Sequence, residues 1–175
     1  TAHSKSLAGS YLAGSNAAMR GDYVAASKYF ANTLILDPEN NFIKYNAMLS
    51  TLSMGDVNTA IKYAKEITLN NNNHLADLLI FIDYIKNERF VLASNLLKKN
   101  KENYTELLFG LLNGWTDLGR GKMSSVLKTF DEMDGNTTSK LLGQYHKALA
   151  LAAVGDFENA DKILSGNVNG SLRLT

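Results

Sequence analysis

Apolar residues recur at three- and four-residue steps along most of this chain, and short polar turns break the pattern at regular intervals. Between residues 75 and 85 the steps fall on Leu75, Leu78, Leu79, Ile82 and Ile85, which is one face of a helix. A second periodic segment follows each turn: "RGDYVAASKYF" from Arg20, "MGDVNTAIKYA" from Met54, "NERFVLASNLL" from Asn87, "RGKMSSVLKTF" from Arg120 and "VGDFENADKIL" from Val154. The turns start at Gly21, Gly55, Glu88, Gly121 and Gly155, at separations of 34, 33, 33 and 34 residues. Self-similarity at that period is the mark of a stacked array.

Five residues after each turn start stands a small or β-branched residue, Ala26, Ala60, Ala93, Val126 or Ala160, where two helices can approach closely. One helical turn further on come Phe30, Ala64, Leu97, Phe130 and Leu164, most of them bulky enough to fill the space beside that contact. "LDPENN" (36–41), "LNNNNH" (69–74), "KKNKEN" (98–103) and "MDGNTT" (133–138) carry the Pro, Gly and Asn that stop one helix and start the next. The spacing therefore predicts an all-α chain of five helix-turn-helix units, about 5–38, 39–72, 73–102, 103–135 and 136–168, in one domain spanning 1–175. Residues 169–175 would begin a further repeat or a tail. In the fourth unit Leu108, Leu111, Leu112 and Trp115 fit the first-helix stripe only if the turn at 118–121 is about two residues longer than the others.

These marks resemble the tetratricopeptide repeat: Gly14, Gly21, Ala26, Phe30 and Pro38 match its Gly, Ala, Phe and Pro positions at the family's spacing. The other units match in part, with Ala64 for Phe, Glu88 for Gly, and the proline in the first unit alone. "SLAGSYLAG", "QYHKALALAAVGD" and "GSLRL" are similar to the N-terminal part of long tetratricopeptide-repeat proteins of alphaproteobacteria. The resemblance implies a right-handed α-solenoid whose first helices line a concave surface that holds a peptide or protein segment. It also implies a bacterial protein of cytoplasm or periplasm, the periplasm slightly favoured because many such parents are exported. Thr1 is not an initiator methionine, so the chain is expected to be a piece of a longer one.

Family geometry places Tyr11, Ser15, Phe42, Tyr45, Asn46, Leu49, Leu78 and Ile82 on the inward side of the first helices, with Tyr11, Tyr45 and Asn46 the strongest candidates because each offers a polar group to a backbone. Members that grip a terminal carboxylate do so with a clamp of Lys, Arg and Asn. Asn46 matches one clamp position, but Tyr11, Ser15, Leu75 and Leu79 stand where the others should be, so the groove suits an apolar anchor instead. The alternative is a structural spacer or self-association module of a longer repeat protein, stacking through an uncapped end.

The composition narrows the partners. With 18 basic and 17 acidic residues mixed along the chain there is no global field for nucleic acid or an anionic membrane, and no apolar run approaches the 18 or so residues that would cross a bilayer. Cysteine is absent, which removes disulfides and thiolate metal sites.

No motif points to an enzyme or a cofactor. Gly114 and Gly119 have the spacing of a phosphate loop, but Arg120 follows where Lys and Ser or Thr are needed, and no strand precedes them. His3, His74 and His146 fall in separate units without paired ligand spacing, so no metal is expected, and His146 reads as a helix-surface residue. Asp77/Asp83 and Glu102/Glu106 read as solvated faces, and Lys98, Lys99 and Lys101 as cations complementing a helix C-terminus. The Asn-X-Thr/Ser triplets at Asn103, Asn136 and Asn169 carry no weight without a secretory context.

Overall fold

The structure is a computed structural model and describes residues 6–68, 73–133 and 135–166. The reading of 169–175 as a further repeat lies outside them. The helices are α1 (Leu7–Met19), α2 (Tyr23–Leu36), α3 (Asn41–Ser53), α4 (Val57–Thr68), α5 (His74–Lys86), α6 (Phe90–Lys99), α7 (Glu106–Gly119), α8 (Met123–Asp131), α9 (Thr137–Ala153) and α10 (Phe157–Leu164). The chain divides into two compact units, the first ending at Asp83 and the second beginning at Tyr84.

Capping explains why the helices begin where they do. The side chains of Ser6, Asn40, Asn73, Thr105 and Asn136 each accept the backbone N–H three residues on, at 2.9 to 3.3 Å, which starts the first helix of every pair. Each pair then turns in the same way. The turn residue is in the left-handed region, with φ +76° at Gly21, +87° at Gly55, +72° at Gly121 and +87° at Gly155. The following N–H donates to the carbonyl five residues back, as in Asp22 to Ala17 and Asp56 to Thr51, both at 2.9 Å.

Glu88 holds the same conformation with φ +56°, and Arg89 N–H donates to Tyr84 at 2.8 Å. A side chain there is strained where glycine is not. Glu88→Gly is therefore expected to stabilise the chain by about 0.5–1 kcal/mol, the strain relieved less the entropy of a freer unfolded backbone. A denaturant midpoint unchanged or lowered by the substitution would refute this.

The fourth turn corrects the sequence expectation, because it is no longer than the others. Gly121 N–H donates to Leu118 and Lys122 N–H to Asp117, both at 2.9 Å, matching the bonds of the first turn position for position. The packed stripe of α7 is Leu107, Leu111, Trp115 and Leu118 instead of one that includes Leu108 and Leu112; Leu108 is exposed. Gly110 and Gly114 are buried on α7. A Cβ on Gly114 would fall within the Phe130 ring, much as one on Gly14 would lie 3.0 Å from Phe30 Cε1.

The core follows the small-and-large pattern. Ala26, Ala60, Ala93 and Val126 are fully buried and Ala160 nearly so. In the first unit Ala26 and Phe30 cluster with Ile43 and Ala47 of α3, flanked by Tyr11, Leu34 and Tyr63. In the second, Val126, Phe130, Met133 and Ala150 form one cluster, and Ala148, Leu151, Ala160 and Ile163 another.

Candidate functional site

The six candidates from the sequence all lie in the first unit, on α1 and α3. Tyr11 is half-buried, its ring centroid 6.2 Å from that of Phe30 and 6.0 Å from that of Phe42, so it bridges the helix-pair core and the surface. Phe42 is 62% exposed, which is costly for a free phenyl ring and leaves one face available. Ser15, Tyr45 and Leu49 are half-buried. The Asn46 amide donates to the Phe42 carbonyl at 2.8 Å, one helical turn back, which leaves its carbonyl oxygen and its second N–H to offer. On α5, Leu78 is half-buried and Ile82 is 46% exposed. The first helices of this unit thus expose an aromatic and aliphatic surface in which Tyr11 and Phe42 are in direct ring contact.

The second unit has an aromatic cluster of its own, in which His146 takes a part that sequence reasoning did not assign. Trp115 Nε1–H donates to His146 Nδ1 at 3.0 Å, and the imidazole centroid lies 5.9 Å from Trp115, 6.0 Å from Phe130 and 5.6 Å from Tyr145. A nitrogen that accepts from an indole is unprotonated, which places the neutral ring's proton on Nε2. Burial lowers the His146 pKa from its usual 6.5. The only hint in the sequence was that an aromatic and a histidine both fall on the same side of successive first helices, 31 residues apart.

The sign of the pH effect follows. The folded state disfavours the imidazolium, so the stability from His146 is complete above about pH 6.5 and is lost as the pH falls below it toward the lowered folded value. His146→Gln is therefore expected to flatten the thermal-midpoint profile between pH 7.5 and 5. Parallel wild-type and variant profiles would exclude this contribution.

Among the described residues no group of three or more His, Asp or Glu could hold a metal ion. A cavity of about 480 Å³ between α7, α8 and the start of α9 is lined by Lys101, Glu106, Phe109, Asn113, Met133 and Ser139, with the Lys101 ammonium 5.2 Å from the Phe109 centroid. No helix among the described residues is long and apolar enough to cross a membrane.

No family model matches the sequence, and no curated protein does. Solved structures do. MamA from Desulfovibrio magneticus RS-1 is similar with a TM-score of 0.69 at 14% identity, over 91% of each chain. YrrB, described as a TPR protein with an unusual peptide-binding site, gives 0.71 at 14% identity, over 93% of this chain and 85% of its own. The TPR-like repeats of a putative kinesin light chain from Podosopora anserina give 0.62 at 12% identity, over 98% and 100%. At such identities the likeness speaks to the fold alone, and together with five capped helix pairs turning through the same hydrogen bonds it gives the described residues an all-α helical-repeat fold of the tetratricopeptide type.

Proposed function

We propose that the chain is a non-enzymatic interaction scaffold that holds a peptide or protein segment against the first-helix surface of its first unit, formed by Tyr11, Ser15, Phe42, Tyr45, Asn46 and Leu49. The observation that carries the reading is the exposed Phe42 ring, which lies 6.0 Å from Tyr11 and so offers an anchoring site that is already ordered before a partner arrives. The Asn46 carbonyl oxygen and the Tyr45 hydroxyl supply acceptors beside it. YrrB, which shares the fold, is described as having a peptide-binding site of an unusual kind, and that supports this class of ligand. The balanced charge supports a protein over a nucleic-acid partner.

The test is selection of a displayed peptide library on the wild-type chain and on a Phe42→Ser, Tyr45→Ser variant with unchanged circular dichroism. Peptides with an apolar anchor that bind the wild type and not the variant are expected. Enriched peptides that bind both equally would remove these residues from the site.

A second reading, self-association or stacking on further repeats, draws on α10. Phe157 is 69% exposed there, and Leu164 is 38% exposed where its counterparts Phe30, Ala64, Leu97 and Phe130 are at most 1% exposed. Under this reading sedimentation velocity shows concentration-dependent association that Phe157→Ser abolishes.

A further inference from the structure

The second helix of a pair begins with aspartate in three of the five pairs. Asp22, Asp56 and Asp156 accept the N–H groups of Ala25, Thr59 and Asn159 at 3.0, 3.1 and 3.3 Å, and their charge also complements the helix dipole. At the same position α6 has Arg89 and α8 has Lys122, and neither side chain caps its helix. The charge is thus reversed at two successive pairs, against both capping chemistry and the dipole.

Both cations line one depression of about 520 Å³, together with Arg120, Glu88, Phe90, Val91 and Leu92. Arg89 and Lys122 are exposed, and neither forms an ion pair among the described residues. Arg120 is different, being fixed in place: its guanidinium donates to Asp117 Oδ1 and to Ser94 Oγ, each at 3.0 Å, while Ser125 Oγ donates to Asp117 Oδ2 at 2.7 Å. Among these charges Val91 is 59% exposed and Leu92 46% exposed.

We infer that this depression is a docking surface for an acidic protein segment carrying an apolar anchor residue. Charge complementarity identifies the occupant: Arg120 is already paired with Asp117, which leaves Arg89 and Lys122 against the single carboxylate of Glu88, and these two cations have no ion-pair partner of their own to give up on binding an acidic chain. The two exposed aliphatic side chains provide what a purely electrostatic contact would lack, a place for an apolar group to leave water. A nucleic acid fits less well, because the single ring, Phe90, is half-buried against Gly119 and offers no stacking platform. A local rule broken twice at one place, with no gain inside the chain itself, is the kind of departure that marks a functional surface.

The substitution that tests the idea carries its own folding control. Arg89→Asp with Lys122→Asp restores the capping residue of the other pairs, so it should raise the thermal midpoint while reversing the charge of the surface. The probe is a fluorescein-labelled peptide with four glutamates around a Leu-Phe pair, read by fluorescence anisotropy on the whole chain. Saturable binding that weakens at least tenfold in the double variant, and that weakens as salt rises from 50 to 200 mM, is expected. Should the aspartates lower the midpoint, Arg89→Gln with Lys122→Gln removes the charge alone and is expected to weaken binding in the same direction. Phe42→Ser with Tyr45→Ser should leave it unchanged, which separates this surface from the one proposed above.

Three results would each overturn the inference: no saturable binding at 50 mM salt, undiminished binding by both charge variants, or equal binding of a probe with Ser-Ser in place of Leu-Phe. An oligothymidylate of the same charge bound as tightly as the peptide would also overturn it, by showing a bare charge effect.

Discussion

Replacing Phe130 with alanine is expected to lower the stability of the chain by about 3–5 kcal/mol, a large share of what a domain of this size possesses. The ring is 1% exposed and sits among Val126, Met133 and Ala150, with Trp115 at 6.3 Å and His146 at 6.0 Å between centroids. Opposite it lies Gly114, which has no side chain to swing into the space left behind, so the cavity would persist. The same geometry makes Gly114→Ala unfavourable despite alanine's better helix propensity, since its Cβ would enter the ring; about 1–3 kcal/mol is expected. Together the two substitutions should cost less than their sum, because the new methyl occupies part of the vacated volume. Denaturant midpoints of the four proteins of this cycle decide the matter. Strict additivity would mean that the ring is not what excludes a Cβ at Gly114.

How much of this could be read from the sequence depended on how local the physics was. The turn period, the small residue five positions on, and the Asn-bearing loops that start the first helices depend on a few neighbouring residues, and they were legible; the Ser6 and Thr105 caps lie outside those loops. The register of α7 was not, because that helix is apolar nearly all round: Leu107, Leu108, Leu111 and Leu112 are interchangeable as hydrophobes, and periodicity cannot choose among them. The discriminating residue was the smallest one. Gly114 stands seven positions before its turn glycine, as Gly14 stands before Gly21, and reading that interval in place of the leucines gives the observed stripe and a turn of ordinary length.

The surfaces show the same division. The resemblance to the tetratricopeptide repeat puts Phe42 and Ile82 on the inward side of the first helices, and both side chains are exposed. That the Asn46 amide would be taken up by its own helix depends on a rotamer, and no spacing reveals it. His146 looked like a surface residue for a related reason: its partner, Trp115, is on another helix, and only the packing of α7 and α9 on α8 brings an indole donor to the imidazole.

The helix pair of α3 and α4 shows what the interval of seven implies where the family marks are missing. Ala64 occupies the position of Phe30, and on its own would leave a void, yet it is fully buried. The residue seven before Gly55 is Met48 where the first pair has Gly14, and it too is fully buried. The bulk stands on the second helix of the first pair and on the first helix of this one, Gly14 with Phe30 and Met48 with Ala64, an exchange that would keep the volume between the helices. Met48→Gly is therefore expected to cost about 3–5 kcal/mol, from the cavity together with the poorer helix propensity of glycine. Ala64→Phe alone should cost about 1–3 kcal/mol or more by overfilling a closed site. The double exchange, which rebuilds the Gly and Phe pairing of the first unit, should recover most of that loss, with an unfolding midpoint above that of Met48→Gly alone. If the double variant is instead as unstable as the two costs added together, these positions do not share one space, and the small-for-large exchange between helices is not how this repeat tolerates losing its phenylalanine.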